Sequence, residues 1–349
     1  MDLTPTAEQE AIQASIRSFL ESELPMSRVR AIAEGAPQEL EAPWRRAGEL
    51  GFFGLAVPSQ HGGTGYSVIE EMLLFEELGR ALAPGPWLGT VLAAHALAKA
   101  KGDREAARRA DVQAGRSRVA LIDVEEGASG SEAKDDRFTL RDLVVADAAR
   151  AELLLVLHGD AVRLVETSAA GVGISSGQVF DATRPVARVS LEAVPAERLP
   201  ASAHALRRIG TALSCAEAVG ASARLVELSV AYASVREQFG RPIGSFQAVK
   251  HRCADMSVRA EAARAATIYA TLSLRDESDD RDFQLSVAKV LAADAFVQNA
   301  ADNVQNHGGM GYTWECDAHF FVKRARSFEA ILGSSRRHLD AIAARLRGA

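Results

Sequence analysis

The chain has 349 residues, of which 48% are hydrophobic, and its formal net charge at pH 7 is -6. This length exceeds one small hydrophobic core and suits two or three domains. Because the net charge is negative, no basic field indicates a nucleic-acid partner. The three cysteines show no CxxC spacing, so neither a disulfide framework nor a zinc site is expected.

The start of the chain, Met1 to Thr4, has no basic segment followed by an apolar run. No uninterrupted apolar stretch in the sequence is long enough to span a bilayer. We therefore expect a cytoplasmic protein without a membrane partner.

Residues 1–117 are predicted to form a helical domain. Thr6 to Leu20 and Ile69 to Leu82 carry apolar residues at helical spacing. Between them, Pro58 and the glycine-rich turn of residues 61–65 interrupt helix formation.

Residues 118–200 are predicted to form a small β domain. Val119 to Ile122 and Leu153 to Leu157 are short apolar runs. Val186 to Val194 alternates apolar and polar residues, which predicts a strand with Val189, Leu191 and Ala193 on one face.

Residues 201–349 are predicted to return to long helices and to form a bundle. A helix of about Ala203 to Arg236 is followed by one that starts near Ser245, which is a candidate N-cap. The remaining predicted helices cover about Asp282 to Asn306, Cys316 to Ile331 and Ser334 to Leu346. Helical domain, β domain and helical bundle together predict an α+β fold.

Four strings in this order carry a family resemblance. They are Arg236 to Gln247 (REQFGRPIGSFQ), Gln305 to Thr313 (QNHGGMGYT), Glu49 to Gly65, which ends in GGTG, and Asp181 to Pro185 (DATRP). With these strings the chain resembles the acyl-CoA dehydrogenases over nearly its whole length. One GGxG string alone would carry little weight, whereas four ordered strings are specific.

The resemblance implies a cofactor, partners and site residues. It implies FAD bound across a dimer interface, within a homotetramer or a heterotetramer with a homologous subunit. An acyl-CoA would be the substrate, and an electron-transferring flavoprotein the usual electron acceptor. Arg236 would pair with the FAD pyrophosphate, because a guanidinium fork matches that anionic group. Gln238, Phe239 and Gln247 would line the same cofactor, and Gln305, Gly308 and Gly309 would let the backbone approach its adenosine half.

Each of these residues also has a purely structural interpretation. Arg236 could be a surface arginine that closes a helix, and Gly308 and Gly309 could only terminate one. For each residue taken alone, the structural interpretation is better than the flavin-binding one. The order of the four strings favours the flavin interpretation.

The expected catalytic base is missing from its usual position. The chemistry requires a carboxylate that takes the α-proton while flavin N5 takes the β-hydrogen as hydride. By the resemblance this base precedes the last helix, where the chain has Leu332 followed by Gly333. A minority of the family carries the base on an earlier helix, at a position that corresponds to about Gly210. Neither residue can accept a proton.

Other carboxylates could replace the missing base: Glu329, Glu315, Asp317 and Glu217. Glu329 precedes Leu332 by three residues, so on one helix the two would share roughly one face. Its alternative role is an ion pair with Arg326 or a nearby arginine on the surface.

The middle region also departs from the family pattern. Asp123 to Ser131 and Val144 to Ala148 are reduced versions of the strings that clamp the flavin ring. Residues that would reach a neighbour's cofactor are kept, while residues for chemistry in the chain's own cleft are lost.

Three hypotheses follow. The first is a supporting subunit of a heteromeric acyl-CoA dehydrogenase whose partner supplies the glutamate. The second is a self-sufficient homo-oligomeric dehydrogenase in which Glu329 is the base. The third is a flavin-binding or scaffold relative without dehydrogenase activity.

Overall fold

The computed structural model describes residues 4–124, 131–134, 137–177 and 180–348. Helices, then strands, then long helices follow one another along these residues, which confirms the predicted α+β fold. Contacts group the chain into two compact units. One contains residues 1–27, 72–83 and 211–349, and the other contains residues 28–71 and 84–210. The domain boundaries at 117 and 200 stay predictions.

Six α-helices precede the first strand. Thr6 caps the first of them in a capping box with Gln9: the Thr6 hydroxyl accepts from the Gln9 backbone N–H, and the Gln9 side chain accepts from the Thr6 N–H. The six helices are α1 (Ala7–Glu23), α2 (Met26–Ala33), α3 (Glu41–Glu49), α4 (Val68–Arg80), α5 (Trp87–Ala98) and α6 (Asp103–Gln113).

Among the described residues of the middle region, eight strands form two four-stranded sheets. They are β1 (Val119–Val124), β2 (Ser131–Lys134), β3 (Arg137–Ala146), β4 (Leu153–His158), β5 (Ala161–Glu166), β6 (Val172–Ser176), β7 (Val186–Pro195) and β8 (Glu197–Leu199). The sheet orders are β1-β4-β5-β8 and β2-β3-β7-β6. β1 and β4 pair in parallel, and the other pairs are antiparallel. One core contains apolar residues of both sheets, such as Ile122, Val156, Phe138 and Leu191.

The predicted alternation in β7 holds only for its first part. Val189 and Leu191 are buried as predicted, but Ala193 is exposed and Val194 is buried in its place. The register of β7 against β3 shifts between Leu140 and Phe138, and Ala193 has a φ of 46°. A bulge-like irregularity reverses which residues face inward, so the prediction for Ala193 is wrong.

Three long helices, two shorter helices and a small hairpin follow in the described residues after β8. The helices are α7 (Ala203–Val235), α8 (Gln247–Arg275), α9 (Arg281–His307), α10 (Ala318–Phe328) and α11 (Ser335–Leu346), and the hairpin strands are β9 (Glu237–Gln238) and β10 (Arg241–Pro242). Ser245 is not the N-cap of α8, because it closes a short 3₁₀ turn and Phe246 takes the cap position without a side-chain bond. Helix α10 is also shorter than predicted and ends at Phe328.

The end of α10 is fixed by a lysine from another helix. The ammonium of Lys289, on α9, is fully buried and donates to the carbonyl oxygens of Phe328 at 3.2 Å and Ile331 at 2.8 Å. It also lies 3.7 Å from the centroid of the Phe328 ring. Backbone carbonyls at a helix end need such donors once they are buried. None of the helices in the described part of the chain combines the length and the apolar character needed to cross a membrane.

Candidate functional site

The string that begins at Arg236 forms an exposed hairpin directly after α7. Gln238 pairs with Arg241, and Glu237 pairs with Pro242. The two turn residues, Phe239 and Gly240, have φ values of 54° and 74°. Two consecutive positive φ values define the tight turn that suits a two-residue hairpin. Glycine adopts this conformation readily, but phenylalanine does so only at a cost. The Phe239 ring is 91% exposed at the tip.

Arg236 joins the helix to this hairpin through its backbone. Its N–H donates to the Tyr232 carbonyl at 2.9 Å, and its own carbonyl accepts from the Ile243 N–H at 2.8 Å. The guanidinium lies at the surface and makes no hydrogen bond or ion pair with any described residue. An arginine with a fixed backbone and an uncommitted guanidinium is suited to bind an anion from outside the chain.

The predicted neighbours of Arg236 lie on the same exposed segment. Gln238 donates from Nε2 to the Glu237 carbonyl at 2.9 Å. Gln247 is the first residue of α8 and is exposed. The Phe239 ring meets the Phe246 ring edge-on, with 6.0 Å between centroids.

The second predicted string lies at the end of α9. Gly308 has φ 59° and ψ -137°, and its N–H donates to the carbonyl of Gln305. This conformation is accessible only to glycine at low cost. A Cβ on Gly308 or Gly309 would have no atom within 4 Å, so the backbone faces open space. Gln305 and both glycines are exposed.

These residues fit the dinucleotide implied by the resemblance. Arg236 can neutralise a pyrophosphate, and the open backbone of Gly308 and Gly309 allows a ligand to approach closely. All seven predicted cofactor residues are exposed rather than turned into the protein's own core. Such placement suits a cofactor shared with a second subunit.

Two contacts, which the sequence did not reveal, connect the two strings. The Ser229 hydroxyl, on α7, donates to Asn303 Oδ1, on α9, at 2.8 Å. One helical turn further along, the rings of Tyr232 and His307 stack with 4.2 Å between centroids. Arg236 and Gly308 follow these residues in their respective segments. The structure therefore brings the Arg236 string and the Gly308 string together at the ends of two packed helices.

The usual position of the base carries a buried apolar residue. Leu332 is buried and has a φ of 53°, and Gly333 follows with a φ of 101°. His338 Nε2 lies 3.1 Å from the Leu332 carbonyl oxygen, and Lys289 holds the preceding carbonyls. Burial lowers the pKa of Lys289 to about 8 and also lowers the pKa of His338. The segment thus contains fixed backbone and two basic side chains, but no carboxylate at position 332.

Glu329 does not share a helix face with Leu332. Helix α10 ends at Phe328, so Glu329 is its C-cap residue and the chain turns before Leu332. The prediction from helical spacing is therefore wrong. Glu329 also makes no ion pair with Arg326 among the described residues.

The other candidate carboxylates occupy different surroundings. Glu217 is buried and its Oε1 accepts from Arg324 Nη1 at 2.8 Å. Glu315 is exposed, and Asp317 precedes the first residue of α10. Gly210 lies within α7. Glu217 is committed to an ion pair, which does not suit a proton-accepting role.

The weakened strings of the middle region are only partly described. Asp123 is the penultimate residue of β1 and pairs with Arg207 at 2.8 Å. Residues 125–130 of the same string lie outside the described residues. Val144 to Ala146 end β3, and Asp147 is buried 3.9 Å from Arg184. Within the described residues, no group of three or more His, Cys, Asp or Glu side chains could hold a metal ion.

Family models match both helical regions of the chain. The model described as "Acyl-CoA dehydrogenase, N-terminal domain" matches residues 6–109. The model described as "Acyl-CoA dehydrogenase, C-terminal domain" matches residues 205–347. The second match contains both the Arg236 and the Gly308 strings.

Similar proteins of Mycobacterium tuberculosis agree with these matches. Acyl-CoA dehydrogenase IpdE2 is 34% identical over 341 residues, which cover 96% of each chain. Acyl-CoA dehydrogenase FadE34 is 34% identical over 356 residues, which cover 99% of this chain but only 48% of FadE34. The chain thus spans about half the length of FadE34.

A solved structure shares the whole fold. The crystal structure of the ChsE4–ChsE5 complex from Mycobacterium tuberculosis superposes with a TM-score of 0.89 at 25% identity, over 100% of both chains. Two family models, a full-length relative at 34% identity and this structural match converge on one assignment. The chain belongs to the acyl-CoA dehydrogenase family.

Proposed function

We propose that this chain is an FAD-binding subunit of an acyl-CoA dehydrogenase, and that a homologous partner subunit supplies the catalytic base. The observation that carries the proposal is a contrast between two sites. The segments predicted to hold the dinucleotide are intact and open, with Arg236 unpaired and the Gly308 backbone accessible. The position predicted to hold the base carries the buried side chain of Leu332.

The chemistry divides between the cofactor and the protein. When bound, FAD accepts the hydrogen that leaves Cβ of the acyl thioester. This chain's part is to bind and orient: Arg236 neutralises the pyrophosphate charge, and the exposed glycine backbone accommodates the adenosine half. Proton removal from Cα needs a carboxylate in a dry cleft. Leu332 cannot accept the proton, so that step falls to a carboxylate of the partner.

The surface around the two strings supports a protein partner. Large apolar side chains next to both strings are exposed. They are Val235, Phe239, Met310, Tyr312 and Trp314. Exposed apolar groups in such number mark a protein interface. The position of Arg236 among them is consistent with a cofactor that is enclosed only on assembly.

Two relatives support a pair of unequal subunits. The ChsE4–ChsE5 structure is a complex of two differently named chains. FadE34 is matched over 48% of its length, which leaves room for a second unit of similar size in one polypeptide. Both arrangements leave room for a separate unit that could supply the missing base. An electron-transferring flavoprotein is the proposed electron acceptor.

The test is an anaerobic titration with a panel of acyl-CoA thioesters while the flavin absorbance is recorded. The purified chain is titrated alone and after co-expression with its nearest encoded homologue. We expect the flavin absorbance to bleach only in the co-expressed protein. Co-expressed protein that carries Glu329→Gln should bleach as well as the wild type. Bleaching by the chain alone, abolished in the Glu329→Gln variant, would instead support a self-sufficient enzyme.

The Arg236→Ala variant tests the cofactor site itself. A hydrogen bond to a charged group contributes about 1.5–3 kcal/mol, so flavin retention should fall by more than tenfold. Unchanged flavin content in this variant would remove Arg236 from the site. If the co-expressed protein contained no flavin at all, the chain would be a scaffold relative.

A further inference from the structure

The contacts between α7 and α9 form two successive rungs that end at the predicted cofactor site. The inner rung is the hydrogen bond between Ser229 and Asn303, and the outer rung is the stack of Tyr232 on His307. On α7 the two rungs are three residues apart, and on α9 they are four residues apart. These spacings place each pair of residues on one helix face.

The outer rung is fixed from more than one side. His307 Nδ1 lies 2.8 Å from the Asn303 carbonyl oxygen, so Nδ1 carries the proton that is donated to it. The planes of the Tyr232 and His307 rings are inclined by only 24°. Stacked aromatic pairs favour this close, nearly parallel arrangement. Among the described residues, His307 Nε2 has no hydrogen-bond partner.

Each residue of the outer rung is joined through its backbone to one half of the predicted cofactor site. The Tyr232 carbonyl accepts the Arg236 N–H at 2.9 Å, one helical turn before the hairpin. His307 is the last residue of α9 and adjoins Gly308. The stack therefore joins the end of α7, which leads into Arg236, to the end of α9, which leads into Gly308.

We infer that Tyr232 and His307 are positioning residues for dinucleotide binding, which hold the Arg236 and Gly308 segments at the spacing that the cofactor needs. The inference rests on the proposed function, because it assigns both segments to one bound dinucleotide. Neither ring has to touch the cofactor for this role. A ligand that bridges two segments binds more tightly when their separation is already fixed.

The experiment measures the FAD dissociation constant of the full chain co-expressed with its encoded homologue, after removal and titration of the flavin. Tyr232→Ala removes the stack, whereas Tyr232→Phe keeps a ring of the same size. We expect Tyr232→Ala to raise the FAD dissociation constant by roughly three- to tenfold, from the usual strength of aromatic pairs. Tyr232→Phe should stay within about twofold of the wild type.

Tyr269→Ala is the matched control. Tyr269 is a partly exposed tyrosine on α8 that makes no ring contact among the described residues. Its replacement should leave FAD affinity within about twofold of the wild type. If Tyr232→Ala fails to fold, His307→Ala removes the same stack and His307→Phe retains it.

Coupling to Arg236 separates positioning from general destabilisation. In the Arg236→Ala background, Tyr232→Ala should change FAD affinity little, because the group to be positioned is already gone. If the losses of FAD affinity in the two single variants multiply in the double variant, the inference is overturned. It is also overturned if Tyr232→Ala binds FAD as tightly as the wild type. Wild-type affinity of Arg236→Ala would instead refute the proposed cofactor site, and the inference with it.

Discussion

The Arg324 guanidinium donates to Glu217 Oε1 at 2.8 Å, and both side chains are almost fully buried, at 1% and 5% exposure. Removing one partner of a buried ion pair leaves an uncompensated charge, which costs about 3–5 kcal/mol. We therefore expect Arg324→Met to lower the free energy of unfolding by that amount in denaturant titrations.

A more exposed pair provides the control for this prediction. Arg80 pairs with Glu227 at 2.8 Å, but the Glu227 side chain is 47% exposed. Replacing Glu227 with Gln should cost less than about 1 kcal/mol. Equal losses for the two replacements would contradict a structural role of the buried pair and would reopen the assignment of Glu217.

Lys289 should give the protein a stability that increases with pH. Burial lowers its pKa from 10.5 in the unfolded chain to about 8 in the folded chain. Between these values the unfolded chain binds more protons, so the free energy of unfolding rises with pH. The free energy of unfolding of the wild type, relative to that of Lys289→Met, should rise by roughly 2 kcal/mol from about pH 8 to about pH 9.5, at 1.36 kcal/mol per pH unit. A difference that stays constant in this range would show that folding does not lower the pKa of Lys289.

The pair of His95 and Glu71 should give the protein a stability that decreases with pH. His95 Nε2 lies 2.8 Å from Glu71 Oε2, and Glu71 is completely buried. Burial lowers the pKa of His95, but the Glu71 carboxylate raises it more, and the net shift is upward. The stabilisation is thus complete below about pH 6.5 and is lost as the pH rises through the raised pKa. Melting temperatures should show the advantage over His95→Gln shrinking as the pH increases, whereas a constant advantage would refute the ion pair.

Replacing Phe239 at the tip of the hairpin should stabilise the fold slightly but weaken cofactor binding. Phe239 has a φ of 54°, which asparagine tolerates better than phenylalanine. Phe239→Asn should keep or slightly raise the melting temperature while flavin retention in the assembled protein falls severalfold. Leu346→Asn, at a similarly exposed apolar residue of α11, is the control and should leave flavin retention unchanged. A lower melting temperature for Phe239→Asn would contradict the strain.

Helical periodicity predicted the bounds of the two long helices α7 and α9 well. The helix predicted for about Ala203 to Arg236 is observed as Ala203–Val235, and that for Asp282 to Asn306 as Arg281–His307. The strings around Arg236 and Gly308 were recognised through the family resemblance, which implied the roles of the arginine and the glycines.

Other features depend on residues that are distant in the chain. The early end of α10 at Phe328 is fixed by Lys289, which precedes Phe328 by 39 residues and would ordinarily be placed on a surface. The outward face of Ala193 follows from a register shift against a neighbouring strand. The stack of Tyr232 on His307 joins two helices whose local patterns give no sign of each other.

The exposed Phe239 at the hairpin tip has a consequence for how the protein is produced in the cell. An isolated chain would present this ring, together with Tyr312 and Trp314, to water and to other unassembled copies. Such apolar surface favours aggregation until a partner covers it. On the proposed function, soluble yield should therefore depend on the ratio at which this chain and its proposed partner are synthesised, and an excess of this chain should be the fraction that is lost.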